Sequence, residues 1–155
     1  MSGLYSANQR VPESILAQVA HINHESFEPN DTYNTPEGIA YFLLTAPGEL
    51  MIETGIKGKV HAYLFYKRTD KALESERLAV TSGVRRKGLA RKLLNRALKR
   101  AGELELDYTT YCLHDNLASI NMRYGMGFAV TKIDSSFIYF VKKYKETKHD
   151  ITRAD

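Results

Sequence analysis

A short basic segment that contains a glycine is the part of this sequence best suited to chemistry. An apolar run ending at Val80 leads into Arg85-Arg86-Lys87-Gly88, and an amphipathic helix is predicted to begin at Gly88. The first N–H groups of a helix have no partner within the helix and lie at the positive end of its dipole. Glycine lets the backbone approach a bound group closely, and Ala90 is small enough to leave that approach open. The segment therefore predicts a binding site for a phosphate or a diphosphate.

The positive charge of the chain is concentrated around this segment. The sequence has 22 Lys and Arg against 18 Asp and Glu. Eight of the basic residues lie at 85–100, and without them the chain has 14 basic and 18 acidic residues. A protein that coats nucleic acid would spread its basic charge more widely. The distribution favours one anionic ligand at one site, and a nucleic-acid-binding module built on 85–100 is the less favoured alternative.

Length and composition indicate one soluble domain. With 155 residues, 43% of them hydrophobic, the chain can bury a single core. The lone cysteine, Cys112, excludes an intrachain disulfide and is compatible with a reducing cytoplasm. No apolar stretch approaches the roughly 20 residues that span a bilayer, and residues 1–12 lack the apolar core of a signal peptide. We therefore expect a cytoplasmic protein without membrane association, folded over 1–145 with a flexible tail at 146–155.

Hydrophobic periodicity and turn residues predict an alternation of strands and helices. Strands are predicted at 4–9, 49–54, 59–68, 73–81, 106–113, 128–133 and 136–144, and helices at 12–27, 36–46, 88–101 and 116–124. Helices inserted among hairpins are typical of an α/β domain with one mixed sheet.

Two motifs resemble the signatures of the GNAT superfamily of acyl-CoA-dependent N-acyltransferases. Arg85-Arg86-Lys87-Gly88-Leu89-Ala90 matches the R/Q-x-x-G-x-G/A signature, and 116–128 resembles the second signature, which begins with Asn and closes with Gly-Phe. Because the motifs occur in the right order, separated by a helix and a strand, together they are specific. The resemblance implies a single GNAT-like α/β domain with a mixed, mostly antiparallel sheet of about six or seven strands, about four helices and splayed central strands.

The resemblance also implies acetyl-CoA as a co-substrate, and no metal. In similar proteins the diphosphate binds the backbone amides of the signature turn, and the pantetheine arm pairs like an extra strand beside the preceding strand. Asn116 would hydrogen-bond that arm or a linking water. Arg123, which departs from the family pattern, could instead hold a phosphate of the cofactor or stabilise the thiolate by its charge. The cofactor-binding residues expected by position are Leu78, Ala79, Val80, Arg85, Arg86, Lys87, Gly88, Leu89, Ala90, Arg91, Asn116, Ser119 and Arg123.

The acyl transfer implied by the resemblance needs a base that keeps the amine neutral and N–H groups that stabilise an oxyanion. Glu74 matches the position of the general base in related histone acetyltransferases, and Glu76 lies two residues nearer to the thioester. Either glutamate is a candidate base, and solvation or pairing with Arg77 is the alternative for both. The backbone N–H of Val80 is the oxyanion donor that the resemblance suggests.

The residue that would protonate the leaving thiolate does not match the family pattern directly. The family often has a tyrosine seven residues after the Asn of the second signature, but here Arg123 holds this position and Tyr124 follows it. Neighbouring residues of a helix point about 100° apart, so Tyr124 does not inherit the role by position alone. Tyr124 is retained as the candidate acid, with a core ring packed near Phe128 as its alternative.

The resemblance thus implies an acetyl-CoA-dependent N-acetyltransferase whose acceptor is a primary amine on a small molecule, a lysine or a protein N-terminus. A non-catalytic acyl-CoA-binding regulatory protein is the alternative, because Arg123 replaces the usual tyrosine. Acidic residues in the regions that shape the acceptor site favour a cationic acceptor; they are Glu25, Glu28, Asp31, Glu37 and Asp134. Pairing of the closing strands across a homodimer stays open.

Overall fold

The computed structural model of the chain describes residues 2–6, 9–85 and 87–144. Arg86 and the predicted tail at 146–155 therefore lie outside the described residues. The described residues form an open mixed sheet of seven strands with four α-helices. None of these helices is long and apolar enough to cross a membrane.

The elements follow the predicted order, and their ends differ from the predicted ones by a few residues. They are β1 (Ser2–Ser6), α1 (Glu13–Ser26), α2 (Pro36–Thr45), β2 (Gly48–Thr54), β3 (Val60–Arg68), β4 (Ala72–Val80), α3 (Leu89–Glu103), β5 (Asp107–Leu113), α4 (Leu117–Gly125), β6 (Ala129–Ile133) and β7 (Phe137–Lys142). Short 3-10 turns cover Thr32–Asn34 and Ser82–Val84.

The strand order is β1-β2-β3-β4-β5-β7-β6. The pairs β1–β2, β2–β3, β5–β7 and β6–β7 are antiparallel, and β4–β5 is parallel, so the mixed, mostly antiparallel sheet is confirmed. The parallel ladder pairs Ala72–Glu74 with Asp107–Thr109, whereas β4 continues to Val80 and β5 to Leu113. The splaying of the central strands stays a prediction.

Backbone contacts divide the chain into two compact units. Unit 1 holds the described residues up to Arg68 together with Glu76–Leu94, and unit 2 holds Thr69–Ser75 and the described residues from Asn95 onward. The boundary crosses β4 between Ser75 and Glu76, so the two candidate bases belong to different units.

The core of unit 1 forms where α1 and α2 meet β2 and β3, and local sequence signals start both helices. Pro12 precedes the first turn of α1, while Thr35 caps α2 by accepting a hydrogen bond from Gly38 N at 3.1 Å. The fully buried members of this core include Val19, Ile39, Leu50, Tyr63 and Phe65. These contacts place the 27–35 loop between the two helices at a defined position.

Unit 2 has its own aromatic core. Tyr108 lies 6.2 Å from Phe128 and Phe128 lies 6.5 Å from Phe140, measured between ring centres. Cys112 is buried. This core supports the face of β5 that carries the buried Thr110.

Candidate functional site

The turn before α3 has the backbone geometry of an anion site at a helix start. Gly88 has a φ of +75°, in the left-handed region that favours glycine, and apart from its chain neighbours no described heavy atom lies within 4 Å of where its Cβ would be. Its carbonyl accepts a helical hydrogen bond from Lys92 N at 3.0 Å. The N–H groups of Leu89, Ala90 and Arg91 therefore have no acceptor within the helix. Together with the helix dipole they can bind a phosphate or a diphosphate.

Two of the basic residues near this turn stabilise it. Arg85 Nε donates to the Val80 carbonyl at 3.0 Å, and Arg85 Nη2 lies 3.5 Å from Ser26 Oγ. Lys92 Nζ lies 3.1 Å from the carboxylate of Glu53, a residue that is only 2% exposed. These contacts fix both ends of the turn against the rest of unit 1.

Two further basic residues face outward. Lys87 and Arg91 are exposed, on either side of Gly88. Arg86, the other cation predicted here, lies outside the described residues. Lys87 and Arg91 are thus the described cations best placed to add charge to the backbone N–H groups of the turn.

The last residues of β4 lead into the same turn. Thr81 N donates to the His61 carbonyl of β3 at 2.8 Å. Because successive N–H groups of a strand point to opposite edges, the Val80 N–H points away from β3. Ala79 is buried, whereas Leu78 and Val80 are half-buried. A backbone donor that β3 does not use can bind an extended amide chain or an oxyanion.

Glu76, one of the candidate bases, is held by the loop between α1 and α2. The Tyr33 hydroxyl donates to Glu76 Oε2 at 3.3 Å, and the Tyr33 ring packs edge-on against Phe42 and Phe65. Burial raises the pKa of Tyr33 to about 12, and the charge of Glu76 adds to this shift. The phenol therefore stays protonated at neutral pH and acts as the donor in this contact.

Arg77 fastens the same loop to β4. Its Nη2 lies 2.8 Å from Asp31 Oδ2, and its guanidinium carbon lies 5.2 Å from the Phe27 ring centre and 5.1 Å from that of Tyr33. Arg77 Nη1 also donates to the backbone carbonyl of Glu76 at 2.8 Å. An arginine that pairs with a carboxylate and lies against two rings orients the loop on the strand.

Asn23 of α1 supports this arrangement from the interior. Its amide donates to Asp31 Oδ1 at 3.1 Å and to Asn34 Oδ1 at 2.7 Å, and its carbonyl oxygen accepts a short hydrogen bond from the Tyr63 hydroxyl. Asn23 is fully buried. A buried side chain satisfied in this way rigidifies the segment that it connects.

Three of the acidic residues expected at an acceptor face are engaged in structural contacts. Asp31 is committed to the ion pair described above. Asp134 accepts hydrogen bonds from Ser136 N, Phe137 N and the Tyr139 hydroxyl, and the two backbone donors hold the pKa of Asp134 below its ordinary value. Glu25 accepts hydrogen bonds from Ser82 Oγ at 3.1 Å and Thr81 Oγ1 at 3.4 Å, and it lies 3.5 Å from His21 Nε2. The remaining members of the set, Glu28 and Glu37, lie in the α1–α2 region of unit 1.

Glu74, the other candidate base, belongs to unit 2. It lies opposite Thr109 at the end of the parallel ladder and is half-buried. No hydrogen-bond partner for its carboxylate is present among the described residues. Glu74 therefore lacks the kind of support that Tyr33 provides for Glu76.

Arg123 points into the interior of unit 2. It is 3% exposed, and its Nε and Nη2 lie 3.3 and 3.1 Å from Thr110 Oγ1. Its Nη1 donates to the Ser119 carbonyl at 3.3 Å and makes a shorter contact with Ser119 Oγ. Burial lowers the pKa of Arg123. Cofactor contacts of Arg123 and Ser119 stay predictions, and in this structure the two side chains contact each other.

Asn116 and Tyr124 lie at the two ends of α4. Asn116 Oδ1 caps the helix by accepting from Ser119 N at 3.1 Å, which leaves the amide of Asn116 as a donor. Tyr124 is 67% exposed, whereas Phe128 is 4% exposed. The alternative of Tyr124 as a core ring near Phe128 is therefore wrong, and its role as an acid stays a prediction.

The site residues predicted from the sequence divide between the two units. Unit 1 holds Glu76, Leu78, Ala79, Val80, Arg85, Lys87, Gly88, Leu89, Ala90 and Arg91, and unit 2 holds Glu74, Asn116, Ser119, Arg123 and Tyr124. Sequence reasoning missed Tyr33, whose only signal is an aromatic residue within a polar loop. No cluster of three or more metal-ligating side chains occurs in 2–6, 9–85 or 87–144.

Solved structures with the same fold are numerous, and three of them illustrate the likeness. The ribosomal-protein-S18-alanine N-acetyltransferase from Escherichia coli matches with a TM-score of 0.70 and 15% identity, over 91% of this chain and 92% of that chain. The PaiA N-acetyltransferase from Thermoplasma acidophilum, in complex with coenzyme A, matches with a TM-score of 0.72 and 13% identity, over 93% and 99%. NAA60 from Arabidopsis thaliana, in complex with a bisubstrate analogue, matches with a TM-score of 0.71 and 13% identity, over 92% and 97%.

The comparison by sequence agrees with the comparison by fold. No curated protein sequence matches the chain at a significant level. The model of the acetyltransferase (GNAT) family, however, matches residues 16–128, a segment that includes the turn at Gly88 and the second motif. Since this segment makes up most of the chain, the chain belongs to the acetyltransferase (GNAT) family.

Proposed function

We propose that this acetyltransferase transfers an acetyl group from acetyl-CoA to a primary amine by direct attack in a ternary complex. The observation that carries the proposal is the turn at Gly88: its glycine has a left-handed backbone conformation with open space at the position of a Cβ, and the N–H groups of a helix start follow it. The diphosphate of acetyl-CoA would bind the N–H groups of Leu89, Ala90 and Arg91, with Lys87 and Arg91 as charge partners.

In the proposed reaction Glu76 is the base, directly or through a water. It would take a proton from the ammonium form of the acceptor, and the neutral nitrogen would attack the thioester carbonyl carbon. The Val80 N–H would stabilise the oxyanion. The nitrogen would lose its second proton to water, and collapse of the intermediate would form the amide, break the C–S bond and release the thiolate. Tyr124 is the proposed proton donor to that thiolate. Glu76 is preferred over Glu74 because Tyr33 donates to its carboxylate.

For the acceptor we propose a cationic amine. Glu28 and Glu37 are exposed in the α1–α2 region, and Glu25 lies at the end of α1. Their charge favours an ammonium group that becomes neutral only on losing its proton to the base. One similar protein is an alanine N-acetyltransferase of a ribosomal protein, so a peptide N-terminus belongs among the acceptors to test.

Residues 1–145 are proposed as the acetyltransferase domain, acting in the cytoplasm, and the family match covers 16–128 of them. Self-association through the closing strands stays a prediction. A non-catalytic acyl-CoA-binding protein is the second candidate, favoured by the burial of Arg123 at the position of the usual tyrosine.

The test is a screen of four amines with acetyl-CoA: spermidine, a peptide with an internal lysine, kanamycin and a peptide that begins with alanine. Acetylated product is identified by mass spectrometry and released CoA is measured with a thiol reagent. We expect at least one product, with kcat reduced about a hundredfold in Glu76→Gln and much less in Glu74→Gln. Acetyl-CoA binding without any acetylated amine would favour the non-catalytic candidate instead.

A further inference from the structure

The loop between α1 and α2 contains a tyrosine whose hydroxyl reaches the proposed base. Tyr33 and Glu76 are 43 residues apart in the chain, and the Tyr33 hydroxyl lies 3.3 Å from Glu76 Oε2. Both residues belong to unit 1. A carboxylate that accepts a proton from one direction reacts faster when a neighbouring group restricts its rotamers to the productive orientation.

The position of Tyr33 is determined by packing on two sides. Its ring lies 4.7 Å from the Phe65 ring and 5.7 Å from the Phe42 ring, centre to centre and edge-on. The Arg77 guanidinium lies 5.1 Å from the same ring, and Arg77 is itself paired with Asp31. Such a ring has little freedom to turn away, so the direction of its hydroxyl is set before any ligand binds.

The charges around the phenol keep it a donor. Burial and the charge of Glu76 raise the pKa of Tyr33 to about 12, Asp31 adds to this effect, and Arg77 opposes it. A hydrogen bond from a neutral hydroxyl to an ionised carboxylate is stronger than one between neutral groups.

We propose that Tyr33 is a positioning residue for the general base: its hydroxyl holds the Glu76 carboxylate in the orientation that accepts the proton of the acceptor amine. The Arg77–Asp31 pair acts one step further out, by holding the Tyr33 ring. This inference rests on the proposed function, since it assigns Tyr33 a role in that reaction.

The first part of the test is a double-mutant cycle on turnover of the best amine of the four-amine screen. Tyr33→Phe removes the hydroxyl and keeps the ring. It should lower kcat about tenfold, the amount expected for one hydrogen bond to a charged group, without changing the acetyl-CoA dissociation constant. In a Glu76→Gln background, Tyr33→Phe should cause no further loss of kcat.

The matched control is Tyr66→Phe. The Tyr66 hydroxyl donates to the Glu49 carboxylate at 2.6 Å, also in unit 1 but buried in the β2–β3 hairpin. Tyr66→Phe should lower the thermal unfolding midpoint at least as much as Tyr33→Phe and leave kcat near the parent value. Equal losses of kcat from Tyr33→Phe in the parent and Glu76→Gln backgrounds would overturn the proposal.

The second part does not depend on activity. In protein carrying ¹³C at the tyrosine ζ position, the Tyr33 signal, identified by its absence in Tyr33→Phe, is followed above pH 9. In Glu76→Gln the Tyr33 signal should titrate at lower pH than in the parent, because the negative charge that raises the pKa of Tyr33 is gone. The Tyr66 signal should not change.

The outcomes separate this inference from the proposed function. An unchanged Tyr33 titration in Glu76→Gln would overturn the contact and therefore the positioning role. A parent that acetylates none of the four amines would overturn the proposed function, and the role of Tyr33 with it. An active parent with a Tyr33→Phe variant of unchanged kcat would overturn the role of Tyr33 alone.

Discussion

Arg77 in unit 1 is partly buried and Arg123 in unit 2 is buried, but their charges are compensated in different ways. Arg77 pairs with the Asp31 carboxylate at 2.8 Å and lies between two aromatic rings. Arg123 is more deeply buried and contacts the hydroxyl groups of Thr110 and Ser119, and no described carboxylate lies within salt-bridge distance of it.

The difference shows that the same residue type can serve two purposes. Removing one partner of an ion pair leaves the charge of the other uncompensated. The position of the 27–35 loop therefore depends on both Arg77 and Asp31. An arginine held by hydroxyl groups carries a desolvation cost that its neutral partners only partly offset, which is why burial lowers the pKa of Arg123. The first arrangement positions a loop, whereas the second ties α4 to β5 through Ser119 and Thr110.

The largest expected effect compares Arg77→Met with Arg123→Met. Arg77→Met should lower the free energy of unfolding by about 3 kcal/mol, because Asp31 loses its cation and two rings lose a cation–π contact. Arg123→Met removes a buried charge and leaves behind only uncharged groups, namely two hydroxyls, the Ser119 carbonyl and the Phe140 ring, so its loss should be about 1 kcal/mol. Urea unfolding measures both values, and equal losses would contradict the comparison.

A smaller effect is expected on the stability of the 27–35 loop when the pH is lowered. Burial opposes ionisation of Asp31, but hydrogen bonds from Arg77, Tyr33 N and Asn23 outweigh it and hold the pKa of Asp31 below the ordinary 3.8. A lowered pKa in the folded state means that this contribution to stability is present above about pH 4 and is lost as the pH falls through the folded value. Amides of the 27–35 loop should lose hydrogen-exchange protection below pH 4, while α4 should retain it.

The Asp31→Asn variant is the control for this acid effect. It should be less stable than the parent at pH 7 by about 1–2 kcal/mol, and its loop should show a weaker dependence on acid. Equal acid sensitivity of the 27–35 loop in Asp31→Asn and the parent would show that another group is responsible.

The smallest expected effects lie around Arg123. Thr110 is 3% exposed, and Thr110→Val removes its hydroxyl at nearly constant volume, for an expected loss of about 1 kcal/mol. Ser119→Ala should cost about 0.5 kcal/mol, because the Ser119 carbonyl still accepts from Arg123. A loss from Ser119→Ala that exceeds the loss from Thr110→Val in thermal unfolding would reverse the assigned importance of the two contacts.

Much of the fold could be predicted from the sequence because its signals are local. Apolar periodicity and turn residues indicate where strands and helices lie, and the turn at Gly88 is specified by contiguous residues. Contacts between distant residues were not accessible in this way. The Tyr33 hydroxyl meets Glu76 only because the loop folds back, and Asp31 is withdrawn from the acceptor set by Arg77, 46 residues further on.

The direction of side chains on a helix was the other feature that the sequence could not predict. The second motif correctly predicted a helix with Arg123 and Tyr124 near its end, but it could not predict which of the two would point inward. The structure places Arg123 inside and leaves Tyr124 exposed, because Thr110 and Ser119 provide oxygen partners for the guanidinium. Polar partners on another strand decide such directions, and a motif within one helix does not contain them.

The most direct test of the account uses the two glycines that share one backbone geometry. Gly58 in the β2–β3 turn and Gly88 both have a φ of +75° and open space at Cβ. Aspartate tolerates this conformation better than most residues, so Gly58→Asp and Gly88→Asp should fold similarly. Only Gly88→Asp would place a negative charge where the diphosphate is proposed to bind.

Isothermal titration with acetyl-CoA compares the parent and these two variants. We predict binding by the parent, an unchanged dissociation constant in Gly58→Asp and an affinity at least about a hundredfold lower in Gly88→Asp. Equal binding by Gly88→Asp and Gly58→Asp, or no binding by the parent, would contradict the claim that the turn at Gly88 holds the cofactor.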